Sequence, residues 1–298
     1  MLLAGGSVGA DTRVMVRRQD PIPAASVLKR VDAAVDGAAP TDTVATGFAS
    51  VDRVLGGGPR HGDLVVLGGD VGSGKSSLAL AFALRAARAG VATTFMSAEM
   101  SVERLLERAL AVEGRARVDD MRRGALDEMT RVSLGAAAIR LRDGTPAFQR
   151  LPIGGFEAIR DEVRRAPRPR FLVIDSLQAV ALSLRALDEE LASTIRQLKQ
   201  LAIELDLAII VTSHLPAFDR GRADLRPTLD DFGAQGAIKQ HADVVLGLFR
   251  EEMYTFPTGI DGAAELHVLK NRSGQTAYVD LYFYKQWLRF EDMLDPDR

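Results

Sequence analysis

The 298-residue chain has no cysteine, which excludes disulfides and thiolate metal sites. Histidine is nearly as scarce: His61, His214, His241 and His267 are too scattered to suggest a zinc site from spacing. No apolar run approaches the roughly 18 residues that a membrane span needs. The opening Met1-Leu2-Leu3-Ala4 lacks the basic flank and the length of a signal peptide. These absences predict a cytoplasmic protein with no membrane partner and no structural metal. An excess of positive charge is also missing. At a formal net charge of -2 the surface is not generally basic, as binding to nucleic acid or anionic lipid over the whole surface would need. A ring could still gather a few lysines and arginines on its inner wall.

What is present is ordinary globular composition, with 47% hydrophobic and 26% charged side chains. That is enough apolar material for one large core, and it predicts a single α/β domain of about 250 residues with a short appendage. Residues 1 to 23 mix Gly, Asp, Arg and Pro without apolar periodicity, and Pro21 and Pro23 interrupt any helix, so a flexible tail is expected. Val27, Leu28, Val31, Ala34 and Val35 recur at helical spacing, which predicts a helix over Ala24 to Val35. Alone in water such a helix is marginal, so it should dock on something. Residues 1–45 are thus read as tail and linker helix, and 46–298 as the α/β domain.

From Thr46 onward β-rich runs alternate with helical stretches, the pattern of a mostly parallel sheet flanked by helices. Strands are expected at 64–67, 91–96, 171–174, 208–212, 244–249, 266–270 and 277–283, the last two forming a C-terminal β-hairpin. Helices are expected at 76–89, 102–113 with Ser101 as cap, 126–142, 156–166 and 192–205.

One stretch carries chemistry on its own. Gly69-Asp70-Val71-Gly72-Ser73-Gly74-Lys75-Ser76 matches G-x-x-x-x-G-K-[ST] and lies between an apolar strand and a helix, where the mechanism requires it. Glycines let backbone N–H groups turn toward a β-phosphate, and the helix N-terminus adds positive potential. Lys75 would reach the β- and γ-phosphates, and the Ser76 hydroxyl would ligate magnesium. Gly69 to Ser76, with Ser77 after them, are therefore the expected nucleotide-binding residues, and the pattern implies a magnesium-dependent nucleoside triphosphatase.

Asp175 ends the run Phe171 to Ile174, so its carboxylate would emerge at the C-terminal edge of the sheet, where open α/β sheets bind ligands. There it would hold magnesium with Ser76; the other reading is an Asp capping a turn. Glu99 follows the strand expected over Val91 to Met96 and could act as general base for the attacking water. Spacing alone leaves a solvated loop acid equally open.

Taken together, the stretches from Thr46 to Glu291 resemble the RecA-like motor domain of DnaB-like replicative helicases. The resemblance rests on motifs in order: Thr46-Gly47-Phe48 with Asp52, Ser97-Ala98-Glu99-Met100, Ile174-Asp175-Ser176-Leu177-Gln178-Ala179, Ser213-His214-Leu215, Gln240-His241-Ala242-Asp243-Val244-Val245, and Lys270-Asn271-Arg272-Ser273-Gly274. It implies ATP and Mg2+ as cofactors, Glu99 as catalytic base and His214 as γ-phosphate sensor. By the same resemblance Lys270 and Arg272 reach into a neighbour's ATP site, Arg272 as arginine finger, while Arg250 and Phe283 sandwich the adenine. For these two a solvated strand end and a core aromatic remain the plainer alternatives. A homo-oligomer, in the family a hexamer, is implied, with single-stranded DNA and a loader or primase as partners.

Two departures stand out. Only some 45 residues precede the motor, so the N-terminal helical domain of the family is not expected, and Ala24 to Val35 matches the family's linker helix. Where the family reads D-L-R-E-S-G, this chain has Asp231-Phe232-Gly233-Ala234-Gln235-Gly236. The DNA-binding candidates are then Arg220, Arg222, Arg226 and the Gly236 backbone, offset by Asp219, Asp224, Asp230 and Asp231. The expectation is a ring-forming ATP-dependent helicase acting on single strands; the alternative is a RecA-like regulatory or assembly ATPase that does not translocate.

Overall fold

The computed structural model describes residues 23–38, 40–165, 167–182, 186–215, 221–254 and 260–293. The chain divides after Thr41 into two units. Among the described residues of the first is helix α1 (Ala24–Val35), which buries none of its side chains. Helix formation here follows the expected period, and Val27, Leu28, Val31 and Val35 remain exposed.

The second unit begins at Asp42. Thr43 bridges Arg60, and Val44 is buried. A short helix α2 (Ala49–Val54) leads to β1 (Leu64–Gly69) and α3 (Lys75–Arg88). Then follow β2 (Thr93–Ser97), α4 (Val102–Gly114), α5 (Val118–Arg123), α6 (Glu128–Asp143), β3 (Ala147–Arg150), α7 (Gly155–Arg164) and β4 (Phe171–Asp175). The rest comprises α8 (Leu187–Leu205), β5 (Ala208–His214), α9 (Ala237–His241), β6 (Val244–Phe249), β7 (Ala263–Asn271), β8 (Ala277–Tyr284) and β9 (Arg289–Asp292).

Among the described residues the strands form one nine-stranded sheet in the order β3-β2-β4-β5-β1-β6-β7-β8-β9. The ladders from β3 to β6 are parallel, and those from β6 to β9 are antiparallel. β1 is central and buried along its whole length, as its unbroken apolar run requires of a strand covered on both faces. On one face Val65 and Leu67 join Leu78 and Phe82 of α3. On the other, Leu64 and Val66 join Ile195 and Leu198 of α8. Each such side chain contributes roughly 1.5–3 kcal/mol by leaving water, so the two apolar layers hold β1 in place.

Several elements depart from the expectations, the short helices α2 and α9 among them. α8 starts at Leu187 rather than near Ala192, its first turn carrying Asp188, Glu189 and Glu190, as suits a helix N-terminus. β3 and α5 are additional; the first is four residues long and the second six, too short to show a period. The C-terminal hairpin gains a third strand, β9. Its Phe290 stacks on Phe283 at 4.4 Å, and its Asp292 accepts the Ser50 amide at 2.7 Å, contacts that local pattern does not reveal.

Candidate active site

β1 delivers the chain into the loop 69–74, and α3 takes over at Lys75. Two loop glycines sit at positive φ, Gly72 at 82° and Gly74 at 102°. A Cβ at Gly69 would lie 2.7 Å from Ser73 Oγ and 2.9 Å from the Leu248 carbonyl oxygen, so only glycine fits there. α3 opens with neither a side-chain cap nor an acid in its first turn. Its first N–H groups are thus available to an anion. Lys75 is buried and donates to the Asp70 carbonyl at 2.8 Å. Burial pushes its ammonium below the ordinary value, opposed by Glu99, Asp175 and Asp70.

The C-terminal ends of β2, β4 and β5 bring Ser97, Asp175 and Thr212 to the N-terminus of α3. Ser76 donates to Asp175 at 2.9 Å and Thr212 donates to the same oxygen at 2.7 Å, while Ser97 reaches the other oxygen at 3.4 Å. Burial pushes the Asp175 carboxyl up; the Thr212 and Ser76 hydroxyls oppose this, and the nearby Glu99 adds to it. The side chains that hydrogen-bond this buried carboxylate are hydroxyls, which leave it unneutralised at contact, so a hard cation suits it. Ser76 and Asp175 together supply the one or two protein oxygens that magnesium takes when phosphates and water complete its shell. Among the described residues no three His, Asp or Glu side chains gather at one point, so an ion here would rest on this pair and on its ligand's oxygens.

Glu99 and His214 face each other at 3.0 Å. Partial burial pushes the Glu99 carboxyl up. Hydrogen bonds from His214 and Ser176, with the charges of His214 and Lys75, outweigh that and hold it below its ordinary value. The carboxylate is therefore ionised at neutral pH and able to accept a proton. Among the described residues Ser73 Oγ and His214 Nδ1 are buried without a hydrogen-bond partner, two polar atoms that a phosphate-bearing ligand or its water could satisfy.

Other residues singled out in the sequence stand outside this cluster, Arg250 at the edge of the phosphate loop. Arg250 and Phe283 do not stand apart as two walls for a base: the Arg250 guanidinium lies over the Phe283 ring at 4.7 Å. A base stacked on both would need roughly 7 Å, two van der Waals separations. Glu252 and the Gly72 carbonyl, the latter at 3.2 Å, draw the guanidinium to its place beside the phosphate loop. Arg222 pairs with Asp231 at 2.9 Å, and Arg226 grips Glu265 through two bonds of 2.7 Å. Arg220 lies outside the described residues. Gly236 opens α9 at φ 76°. Lys270 and Arg272 sit at the β7–β8 turn, docked on carbonyl oxygens at the end of α9. A Cβ at Gly274 in that turn would lie 2.7 Å from the Asn271 side-chain nitrogen, so a larger residue there would have to displace that amide.

The sequence reading passed over several groups at the site. Thr212 and Ser97 hold Asp175; Thr212 shows in the sequence only as a hydroxyl within an apolar strand, and Ser97 only as the first residue of the motif that carries Glu99. Gln178 spans the ends of β4 and β5, its amide nitrogen donating to Ser213 Oγ at 3.1 Å and its oxygen accepting the His214 amide at 3.1 Å.

The fold and this site together define a RecA-like P-loop ATPase core. A solved ATPase domain superposes with a TM-score of 0.82 at 23% identity, covering 92% of this chain and 100% of that one. A DnaB-like replicative helicase, solved in work on its interactions with primase, superposes at 0.80 with 22% identity, over 92% of this chain and 67% of its own. The family model described as DnaB-like helicase C terminal domain matches residues 43–292. The replicative DNA helicase DnaB of Leifsonia xyli subsp. xyli (strain CTCB07) is 33% identical over 256 residues, 84% of this chain and 56% of that protein. The replicative DNA helicase DnaC of Bacillus subtilis (strain 168) is 30% identical over 264 residues, again 84% and 56%. The chain belongs to the DnaB-like helicase C-terminal domain family. It spans about half the length of these relatives.

Proposed function

We propose that this chain is the ATP-driven motor of a ring-forming, hexameric DNA helicase that moves on single-stranded DNA and hydrolyses ATP at subunit interfaces. The observation that carries this reading is the meeting of Lys75, Ser76, Glu99, Asp175 and His214 at the N-terminus of α3, within a chain of the DnaB-like family. The loop amides and Lys75 would hold the phosphates. Ser76 and Asp175 would hold magnesium, which when bound neutralises charge on the β- and γ-phosphate oxygens. Glu99 would orient the attacking water and take its proton, and His214 would fix Glu99 through Nε2. Because His214 ends β5, it would also pass the state of the nucleotide into the segment that follows, where Arg220, Arg222, Arg226 and the Gly236 backbone are the proposed DNA contacts. Arg272, with Lys270 beside it, would complete a neighbour's site.

Exposed apolar side chains support assembly. Val27, Leu28, Val31 and Val35 on α1, and Met129, Val132 and Ile139 on α6, are uncovered in the single chain. Self-association would cover such faces. Partners such as a loader or a primase would act on the assembled ring.

A second reading, a regulatory ATPase that does not translocate, is favoured by one observation: Arg222 and Arg226 both spend their charge on carboxylates of the same chain. Turnover with and without single-stranded DNA separates the two. Severalfold stimulation is expected of the translocase; an assembled protein whose ATP turnover ignores DNA would replace the first reading with the second.

A further inference from the structure

The β7–β8 turn folds its two cations back onto the stretch that joins α9 to β6. Lys270 Nζ donates to the carbonyls of Ala242 at 2.6 Å, Lys239 at 2.8 Å and Gln240 at 3.4 Å. These include carbonyls that the end of a helix leaves without partners. Arg272 donates from Nη2 to the Gln240 carbonyl at 3.2 Å, its Nε lies 3.2 Å from Asp243 Oδ1, and its amide donates to the Asp243 carbonyl at 2.8 Å.

Asp243 is only 3% exposed, and its second oxygen is already in use. Oδ2 accepts the Leu64 amide at 2.9 Å and Lys199 Nζ at 2.5 Å. Lys199 also donates to the Gly62 carbonyl at 2.7 Å. One oxygen of this carboxylate is therefore bound to the root of β1 and to α8, while the other is presented to Arg272. The guanidinium is held by one edge yet its side chain is 52% exposed. A guanidinium has five N–H donors, so those not used in this grip remain for an anion outside the subunit.

We infer that Asp243 is a positioning residue for Arg272: it fixes the guanidinium by its Nε edge so that the free edge is presented to the triphosphate of an adjoining subunit. The inference rests on the reading of Arg272 as a finger acting in trans. A long, flexible side chain that is already oriented forfeits little freedom when its ligand arrives, and that gain appears in the chemical step. Lys199 keeps the pair from being neutral, since two cations share one carboxylate and the cluster still attracts phosphate. The geometry also ties the finger to the candidate DNA segment. The carbonyls of Lys239 and Gln240 belong to α9, which starts directly after Gly236, so displacement of that segment moves two acceptors of the turn's cations.

The test replaces Asp243 in the full chain. Asp243→Asn keeps the size of the side chain and an acceptor for the Leu64 amide, but loses the charge that grips Arg272. ATP turnover should fall by about tenfold to a hundredfold, the usual effect of losing a group that orients a functional one from behind. KM for ATP and assembly should hold, while the thermal midpoint falls because Lys199 loses its buried carboxylate. In an Arg272→Ala background, Asp243→Asn should add no further loss, as expected when two residues act as one unit. Mixing Asp243→Asn with Lys75→Ala protein should restore turnover, because the first keeps its own pocket and the second supplies a correctly held finger. Where Asp243→Asn weakens folding too far, adding Lys199→Met removes the buried cation left without a partner and carries the same test, with Lys199→Met alone as its reference, whereas Asp243→Glu keeps the carboxylate and should retain most of the turnover.

Wild-type turnover by a folded Asp243→Asn protein would overturn the assignment. So would additive losses in the double variant, or a mixture that assembles without rescue, which would place the defect in the variant's own pocket. Full turnover by Arg272→Ala alone would instead end the shared-site reading.

Discussion

At Glu99 two influences compete, and hydrogen bonding prevails over burial. Because the carboxyl is held below its ordinary value, chiefly by His214 and Ser176 against partial burial, it should stay ionised through neutral pH. Its contribution to turnover should disappear only as pH falls through that depressed value. His214→Ala removes the largest of the opposing influences, so the acid limb of kcat should move to higher pH. A limb that stays in place would mean that His214 does not tune this carboxylate. Glu99→Gln should bind ATP and turn it over roughly a hundredfold or more slowly, the ordinary contribution of a positioned base. Lys75→Ala should lose hydrolysis altogether, since it removes the only side-chain cation in a loop otherwise built of backbone. Unchanged turnover in either variant would return the residue concerned to a structural role.

At the scale of elements, β1 and the turn Leu229–Phe232 are more tightly joined than their separation in the chain suggests. A Cβ on Gly68 would lie 2.6 Å from Phe232 Cζ and 3.0 Å from Leu215 Cδ2. The strand that leads into the phosphate loop thus packs directly on the turn preceding Gly233. A capping box of Thr228 and Asp231 holds the same turn, and Asp231 also receives Arg222. Gly68→Ala must push the Phe232 ring aside. It should cost about 1–3 kcal/mol, the usual price of overpacking, measured as a fall in the denaturant midpoint without a change in slope. Single-strand binding should weaken more than nucleotide binding. A stable Gly68→Ala protein with unaltered DNA affinity would show that this contact transmits nothing. The element pattern itself was largely legible. β1, β4 and β6 are unbroken apolar runs, and α4 carries its cap, Ser101, whose side chain accepts the Arg104 amide. β3, α5 and β9 were not, because four to six residues show no period and tertiary contacts hold them.

On the scale of the whole molecule, the proposed function has a neighbour complete the active site. Turnover per chain should therefore rise with protein concentration through the range of assembly. Arg272→Ala protein should bind ATP and assemble without hydrolysing it, since a finger supplied in trans is worth about 10³ to 10⁵ in turnover. Mixing it with Lys75→Ala protein should recover activity at interfaces that pair an intact pocket with an intact finger. A dilute monomer with full turnover, and Arg272 dispensable, would rule out the shared site and the ring together.

What the sequence determined by itself is what is contiguous. The glycines, Lys75 and Ser76 stand within eight residues of one another between a strand and a helix, so their geometry follows from local backbone rules. Asp175 was readable for the same reason, because a carboxylate at the end of a buried strand can only emerge at the sheet's edge. Pairing between distant charges was not readable. Asp243 meets the amide of Leu64, 179 residues away, and Arg85 meets Glu291, 206 residues away. Arg250 rests on Phe283 instead of standing opposite it, because Glu252 and the Gly72 carbonyl claim its guanidinium. A charged side chain takes the strongest partner within reach of its final position, and only the packed sheet decides which partners those are.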